Sequence, residues 1–148
     1  MDIRKATEAD IPAIVEMGRE FYPSTHYSAH IPFCPESVAA IARTMQESGI
    51  LLVADDGGAL VGMAGLVVAP FMFNRAYTGA YEVMWWTSPT AQGHGVGKAL
   101  LAAIEPAAAE FGVLPIQMVL LPSSPPQAAV LYERAGYAVS ETSYTKVI

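Results

Sequence analysis

The hydrophobic residues of the N-terminal third follow a helical period in two segments. The first segment predicts a helix from about 8 to 21, after a short strand at 2–5. Its apolar positions, three or four residues apart, are Ile11, Ile14, Val15 and Phe21. The second predicts a helix from Pro35 to Gly49, because proline suits a first helical turn and glycine a helix end. The stretch YPSTHYSAHIPFCP between them contains three prolines and is expected to be a loop.

The middle of the chain carries the signals of a β-hairpin. The two apolar runs of ILLVADDGGALVGMAGLVVAP flank the turn sequence Asp55-Asp56-Gly57-Gly58, and such punctuation between apolar runs favours a hairpin. A loop at 71–75 is predicted to lead into a third strand at roughly 79–87.

Helices and strands then alternate. A helix is predicted at 95–111, a buried strand at 115–121 and another helix at 126–136. The last stretch, YAVSETSYTKVI at 137–148, alternates enough to predict a final strand. This order predicts one α/β domain over 1–148, with a mixed central sheet of six or seven strands and helices on both faces.

Composition restricts the partners and the compartment. Of 148 residues 53% are hydrophobic and 15% charged, as in a core-rich globular domain. The net charge of −6 argues against nucleic-acid binding, which needs a basic face, and no apolar run is long enough to predict a membrane span. The single cysteine, Cys34, excludes an internal disulfide and suits a reducing compartment, so we expect a cytoplasmic protein.

Glycines concentrate where the third strand gives way to a helix. Gly93, Gly95 and Gly97 stand at alternate positions of AYEVMWWTSPTAQGHGVGKALL. A glycine-rich turn at a helix start presents unpaired N–H groups and the positive end of the helix dipole, which suits a phosphate. The P-loop pattern fails here, because Ala99 replaces its Ser or Thr, and the dinucleotide fingerprint fails at its third glycine.

Two motifs carry a family resemblance. The first, Q-x-x-G-x-G, is formed by Gln92, Gly95 and Gly97. The second, A-x-x-x-Y-x-x-x-G-[FY], is formed by Ala128, Tyr132, Gly136 and Tyr137. Because of these two motifs, the distance between them along the chain and the order of helices and strands, the sequence resembles the GNAT family of acetyl-CoA-dependent N-acetyltransferases.

The resemblance implies a cofactor site for acetyl-CoA at the glycine turn. Main-chain groups near Trp86 and Thr87 would bond the pantetheine amides, and an N–H near Thr87 would polarise the thioester carbonyl. Pro125 stands where related sequences often have a cofactor-binding Asn, so that contact is missing. The full set of expected cofactor residues is Trp86, Thr87, Gln92, Gly93, His94, Gly95, Val96, Gly97 and Lys98.

Two residues are the candidates for proton transfer. Glu82 is a lone acid in an otherwise apolar strand and is the expected base, although it could equally be an edge or ion-paired glutamate. Strict alternation would place Glu82, Met84 and Trp86 on one face of the strand. Tyr132 matches the family's general-acid tyrosine, and its alternative role is that of a core tyrosine.

The resemblance implies that the loop between the first two helices helps to line the acceptor pocket. The candidates in it are Tyr22, His26, Tyr27 and Phe33, and Phe73 belongs to the loop that would form the other wall. A metal site at His26, His30 and Cys34 is not expected, because prolines interrupt the helix that would align them.

The leading hypothesis is an N-acetyltransferase that moves the acetyl group directly to an amine in a ternary complex. The acceptor would be a small molecule or a peptide, and the protein a monomer or a homodimer. The alternative is a GNAT-like module that binds acyl-CoA without turnover, as a sensor or an assembly element.

Overall fold

Five strands form one sheet, in the order in which they follow along the chain. The first three pairs of neighbouring strands are antiparallel, and the last pair is parallel. The strands are β1 (Asp2–Lys5), β2 (Ile50–Asp56), β3 (Ala59–Phe71), β4 (Asn74–Thr87) and β5 (Ile116–Gln117). The structure, a computed structural model, describes all residues from 1 to 148.

Four α-helices pack on the sheet, and all four were predicted. They are α1 (Ile11–Phe21), α2 (Pro35–Ser48), α3 (Val96–Ala109) and α4 (Pro126–Arg134). α1 and α2 contribute to the core on one face, and α3 and α4 to the core on the other. The mixed α/β domain with helices on both faces is therefore confirmed. None of the helices combines the length and the hydropathy that crossing a lipid bilayer requires.

The sheet has fewer strands than the six or seven predicted. Residues 138–148 form no strand and no hydrogen bond, and Val139 and Tyr144 are 94% and 95% exposed. Alternation allows a segment to be a strand, but a strand also needs a paired neighbour, and this segment forms no ladder with any strand of the sheet. The predicted strand at 115–121 shrinks to the two residues of β5 for the same reason.

The predicted loop at 71–75 is also wrong in extent. β3 runs on to Phe71 and β4 begins at Asn74, so only Met72 and Phe73 connect them. A short turn suffices because the two strands continue to pair almost to their ends. The hairpin is therefore longer than its apolar run indicated, and the tip carries exposed Phe73.

Gly62 determines how closely α3 approaches the sheet. A Cβ built on Gly62 would lie 2.9 Å from Val96 Cγ1 and 3.1 Å from Leu100 Cδ1, and 3.0 Å from the carbonyl oxygen of Trp86. No methyl group fits there without displacing the helix or the strand. The bare backbone of β3 thus sets the position of the first turn of α3.

We expect Gly62→Ala to lower the free energy of unfolding by about 1–3 kcal/mol, because the added methyl group overpacks this contact. Gly97→Ala is the matched control, since its Cβ would meet Trp85 at an ordinary 3.4 Å. Its stability should be unchanged or raised by up to about 0.5 kcal/mol, since alanine is the better helix former. Urea unfolding measures both, and equal midpoints for the two variants would contradict this account of Gly62.

Candidate active site

A β-bulge in β4 determines where its glutamate lies. Gly65 of β3 pairs with Met84 and the next residue, Leu66, pairs with Glu82. Val83 is thus an extra residue on β4, which shifts the alternation of side chains by one position. Glu82 comes to lie on the face of Leu66, which belongs to the core under α3 and α4.

The prediction that Glu82, Met84 and Trp86 share a face is therefore wrong. Met84 and Trp86 pack with α1 and α2, whereas Trp85 packs on the opposite face. The reason is the inserted residue, which strict alternation does not include. As a result the half-buried Glu82 lies on the same face as Trp85 and Tyr132.

β4 and β5 separate soon after they meet. They pair only at Ala80 with Ile116 and at Tyr81 with Gln117, while β4 continues to Thr87. Beyond the last pair, a side chain bridges the gap: the Glu82 carboxylate accepts a hydrogen bond from the N–H of Val119 at 2.6 Å. The main-chain pairing of the two strands therefore ends before Glu82, and we call the unpaired interval beyond it the β4–β5 cleft.

Tyr132 reaches the same point from α4. Its hydroxyl donates a hydrogen bond to the carbonyl oxygen of Val119 at 2.8 Å. Its ring is buried, with centroids 5.1 Å from Trp85 and 5.8 Å from Tyr137. The two predicted catalytic side chains are thus brought together on the main chain of one residue, Val119, which the sequence does not single out.

Burial changes the acidity of both groups. Burial raises the pKa of Glu82 from its ordinary 4.5 to about 7, against the opposing effect of the Val119 N–H. Burial, and secondly the nearby charge of Glu82, raise the pKa of Tyr132 well above its ordinary value. Near neutral pH, Glu82 can accept a proton and Tyr132 retains one to donate.

The glycine turn presents unpaired backbone donors. Gly93 and Gly95 have φ values of +80° and +83°, and a Cβ on either would meet nothing within 4 Å. Five N–H groups in the turn and the first turn of α3 have no acceptor in the protein: those of Gly93, Gly95, Val96, Gly97 and Lys98. Their concentration at a helix N-terminus fits the diphosphate of a coenzyme A molecule.

Other predicted cofactor residues have different surroundings. The Gln92 side chain donates to the carbonyl oxygen of Thr87 at 3.3 Å, which closes the turn. The side chains of His94 and Lys98 are exposed, and that of Val96 is buried against Gly62. For Val96, only the N–H group can therefore face a ligand.

Sequence reasoning missed Trp85. Its indole nitrogen Nε1 is buried without a hydrogen-bond partner, and its ring lies beside Gly97 and Tyr132. The adjacent Trp85 and Trp86 were a usable signal, because one of them had to lie on the side of the cleft. The bulge decides which one.

The expected acceptor residues fall into two groups. Tyr22 and Phe33 support the loop itself, since the Tyr22 hydroxyl donates to Ile31 O at 2.7 Å and Phe33 packs beneath the Arg19 guanidinium. His26 and Tyr27 are exposed. This loop contacts the segment after β5 through Ser123 Oγ, which donates to Ser24 O at 2.7 Å.

Phe73 is not brought near the other candidates. It stands at the tip of the β3–β4 hairpin, up to about 30 Å along the extended strand from Glu82. No three His, Cys, Asp or Glu side chains of the chain lie close enough together to hold a metal ion.

The sequence model of the acetyltransferase (GNAT) family matches residues 12–137. The chain belongs to this family. The resemblance stated from the two motifs is thereby confirmed, and with it the assignment as an acyltransferase. A comparison with curated proteins gave no match.

Solved structures support the GNAT fold. A protein of Agrobacterium tumefaciens assigned as an acetyltransferase has a TM-score of 0.75 at 20% identity, over 100% of both chains. A ribosomal-protein-alanine N-acetyltransferase from Brucella melitensis has a TM-score of 0.74 at 18% identity, over 100% of both. A protein of Clostridium acetobutylicum, assigned as an acetyltransferase and solved with acetyl-CoA, has a TM-score of 0.74 at 16% identity, over 99% of this chain and 95% of the other. At such identities the likeness shows the shared fold.

The raised pKa of Glu82 has a consequence for stability. A carboxyl group with a higher pKa in the folded chain stabilises the fold when protonated, and this stabilisation disappears as the pH rises from 4.5 through about 7. We expect the free energy of unfolding of Glu82→Gln to vary less over this range than that of the wild type. Urea unfolding at a series of pH values measures it. Glu133→Gln, at an exposed position of α4, should behave as the wild type, and a parallel pH dependence in all three proteins would refute the assignment.

Proposed function

We propose that this GNAT protein transfers an acetyl group from acetyl-CoA to an amine by direct transfer in a ternary complex. The observation that carries the proposal is the convergence of Glu82 and Tyr132 on Val119, at the mouth of the β4–β5 cleft. A carboxylate and a phenol with these altered pKa values form an acid–base pair for acyl transfer.

Acetyl-CoA would supply the acetyl group as an activated thioester. The unpaired N–H groups of the glycine turn would bind its diphosphate, with Gln92 holding the turn closed against Thr87. Main-chain groups of Trp86 and Thr87, where β4 no longer pairs with β5, would bond its amide-containing arm. The unpaired indole N–H of Trp85 is a further donor on the same side.

Glu82 would take the proton of the acceptor. An amine with a pKa near 10.4 is only about 0.04% neutral at pH 7, which is a deficit of roughly 4.6 kcal/mol. A carboxylate with a pKa of about 7 can remove that proton directly or through a water molecule, while the N–H of Val119 holds it in place. Glu82 thus makes the amine nucleophilic.

Tyr132 would protonate the departing sulfur. Its hydroxyl stays protonated at neutral pH because its pKa is raised, and it must leave the carbonyl oxygen of Val119 to donate its proton. The thiolate of the product has a conjugate-acid pKa close to that of cysteine, about 8.5, so a positioned phenol can supply the proton.

Direct transfer is favoured over an acyl-enzyme. The thiol of the single cysteine, Cys34, is exposed and donates to the Glu36 carboxylate at the start of α2. No hydrogen bond joins it to Glu82 or Tyr132, which bond Val119 instead. Cys34 is therefore not part of the proton-transfer group that a covalent acetyl carrier would have to adjoin. The acceptor, a small molecule or a peptide amine, would enter beside Tyr22, His26, Tyr27 and Phe33.

We expect Tyr132→Phe and Glu82→Gln each to lower kcat by about 100-fold or more, because each removes a proton-transfer group. Release of coenzyme A thiol across a panel of amines measures this, and calorimetry should show that both variants still bind acetyl-CoA. Binding without thiol release from the wild-type chain would favour the alternative, an acyl-CoA-binding module.

We expect Gly95→Ala to weaken acetyl-CoA binding by about tenfold to a hundredfold, because an alanine disfavours the positive φ that aims the N–H groups at the diphosphate. Gly57→Ala is the matched control. Gly57 also has a positive φ, +66°, with open space around it, but it lies in the β2–β3 turn. Titration calorimetry measures the affinity of both variants for acetyl-CoA. Equal affinities of Gly95→Ala and Gly57→Ala would mean that the cofactor does not bind at the glycine turn.

A further inference from the structure

We propose that residue 119 is a positioning residue, whose main-chain N–H and C=O groups hold the base Glu82 and the acid Tyr132 in register with each other. This inference rests on the proposed function of the site. It assigns a role to the main chain of a residue that is 45% exposed.

The main-chain groups of Val119 would ordinarily belong to a longer β5. In an extended chain the N–H and C=O groups of one residue point to the same side, where a neighbouring strand would pair with both. Here β5 ends at Gln117, and Val119 has no ladder partner on β4. Glu82 Oε2 and Tyr132 Oη take the places of that partner, at 2.6 Å and 2.8 Å.

Nothing else anchors either group by a hydrogen bond. The Glu82 carboxylate accepts no other hydrogen bond, and the Tyr132 hydroxyl makes no other. No lysine, arginine or histidine is paired with Glu82, and the titratable group that faces it is Tyr132 from α4. The pKa of Tyr132 is also raised by Tyr137, and the pKa of Tyr137 is raised by the charge of Glu105 in α3. The main chain at residue 119 is therefore the one polar contact that orients both side chains.

The two contacts have different chemical effects. The N–H of Val119 stabilises the charged form of Glu82 and so opposes the effect of burial. The carbonyl oxygen accepts the hydrogen bond of the Tyr132 hydroxyl and so fixes the orientation of the hydroxyl group until it donates its proton. Because both groups belong to one residue, a displacement of this segment would misplace base and acid together.

Proline substitution separates the two contacts. Val119→Pro removes the N–H and retains the carbonyl, whereas Val119→Ala retains both and only shortens an exposed side chain. In Val119→Pro the Glu82 carboxylate loses a hydrogen bond, so its pKa should rise. We expect the acidic limb of the kcat/KM–pH profile to shift to higher pH by about one unit. Val119→Ala should keep the wild-type profile, and both should bind acetyl-CoA with wild-type affinity. An unmoved limb in a folded Val119→Pro, or the same shift in Val119→Ala, would overturn the inference.

A measurement without catalysis tests the contact independently. In the wild-type protein, the amide proton resonance of Val119 should move with pH around the pKa of Glu82, about 7, and this movement should disappear in Glu82→Gln. An amide that does not titrate overturns the inference even where Val119→Pro fails to fold. A titrating amide in a protein that transfers no acetyl group would refute the proposed function while supporting the contact.

Discussion

The extra residue in β4 is the constraint on which the geometry of the site depends. With Val83 inserted, Glu82 points to the side of α3 and α4, and the two residues that follow Val83 resume the normal alternation. Without it, Glu82 would lie among the apolar residues of α1 and α2, remote from Tyr132. A bulge disturbs only one position of the ladder, so the strand keeps its pairing while one side chain is redirected.

The same end of the sheet also carries the proposed cofactor-binding surface. β4 outlasts its pairing with β5, and its free edge leads directly into the glycine turn and the first turn of α3. Gly62 allows this helix to lie against β3. Trp85 of β4 then lies beside Gly97 in the first turn of the helix and beside Tyr132 of α4. The end of the β4–β5 pairing, the glycine turn and the two candidate proton-transfer groups thus depend on one arrangement of β3, β4, α3 and α4.

Much of the architecture was predictable, because it depends on local signals. Helical spacing, the prolines at helix starts and the Asp-Gly hairpin turn act within a few residues, and the four helices and the β2–β3 hairpin followed them. The glycine turn was predictable for the same reason, since its positive φ angles and its position between strand and helix are local requirements. Prediction failed where the existence of a strand depends on pairing with a distant part of the chain. The segment 137–148 pairs with no other strand, and β5 is shorter than the apolar run that predicted it.

The sequence by itself determined the order of elements as far as α4, the family and the identity of the candidate acid and base. Tertiary structure alone decided that Glu82 and Tyr132 meet, that they meet on the main chain of Val119, and that Trp85 rather than Trp86 faces them. The reason is physical. A bulge depends on the register between two strands, and a hydrogen bond to a backbone group does not depend on the side chain of the residue that carries it. Neither leaves a pattern in the order of amino acids.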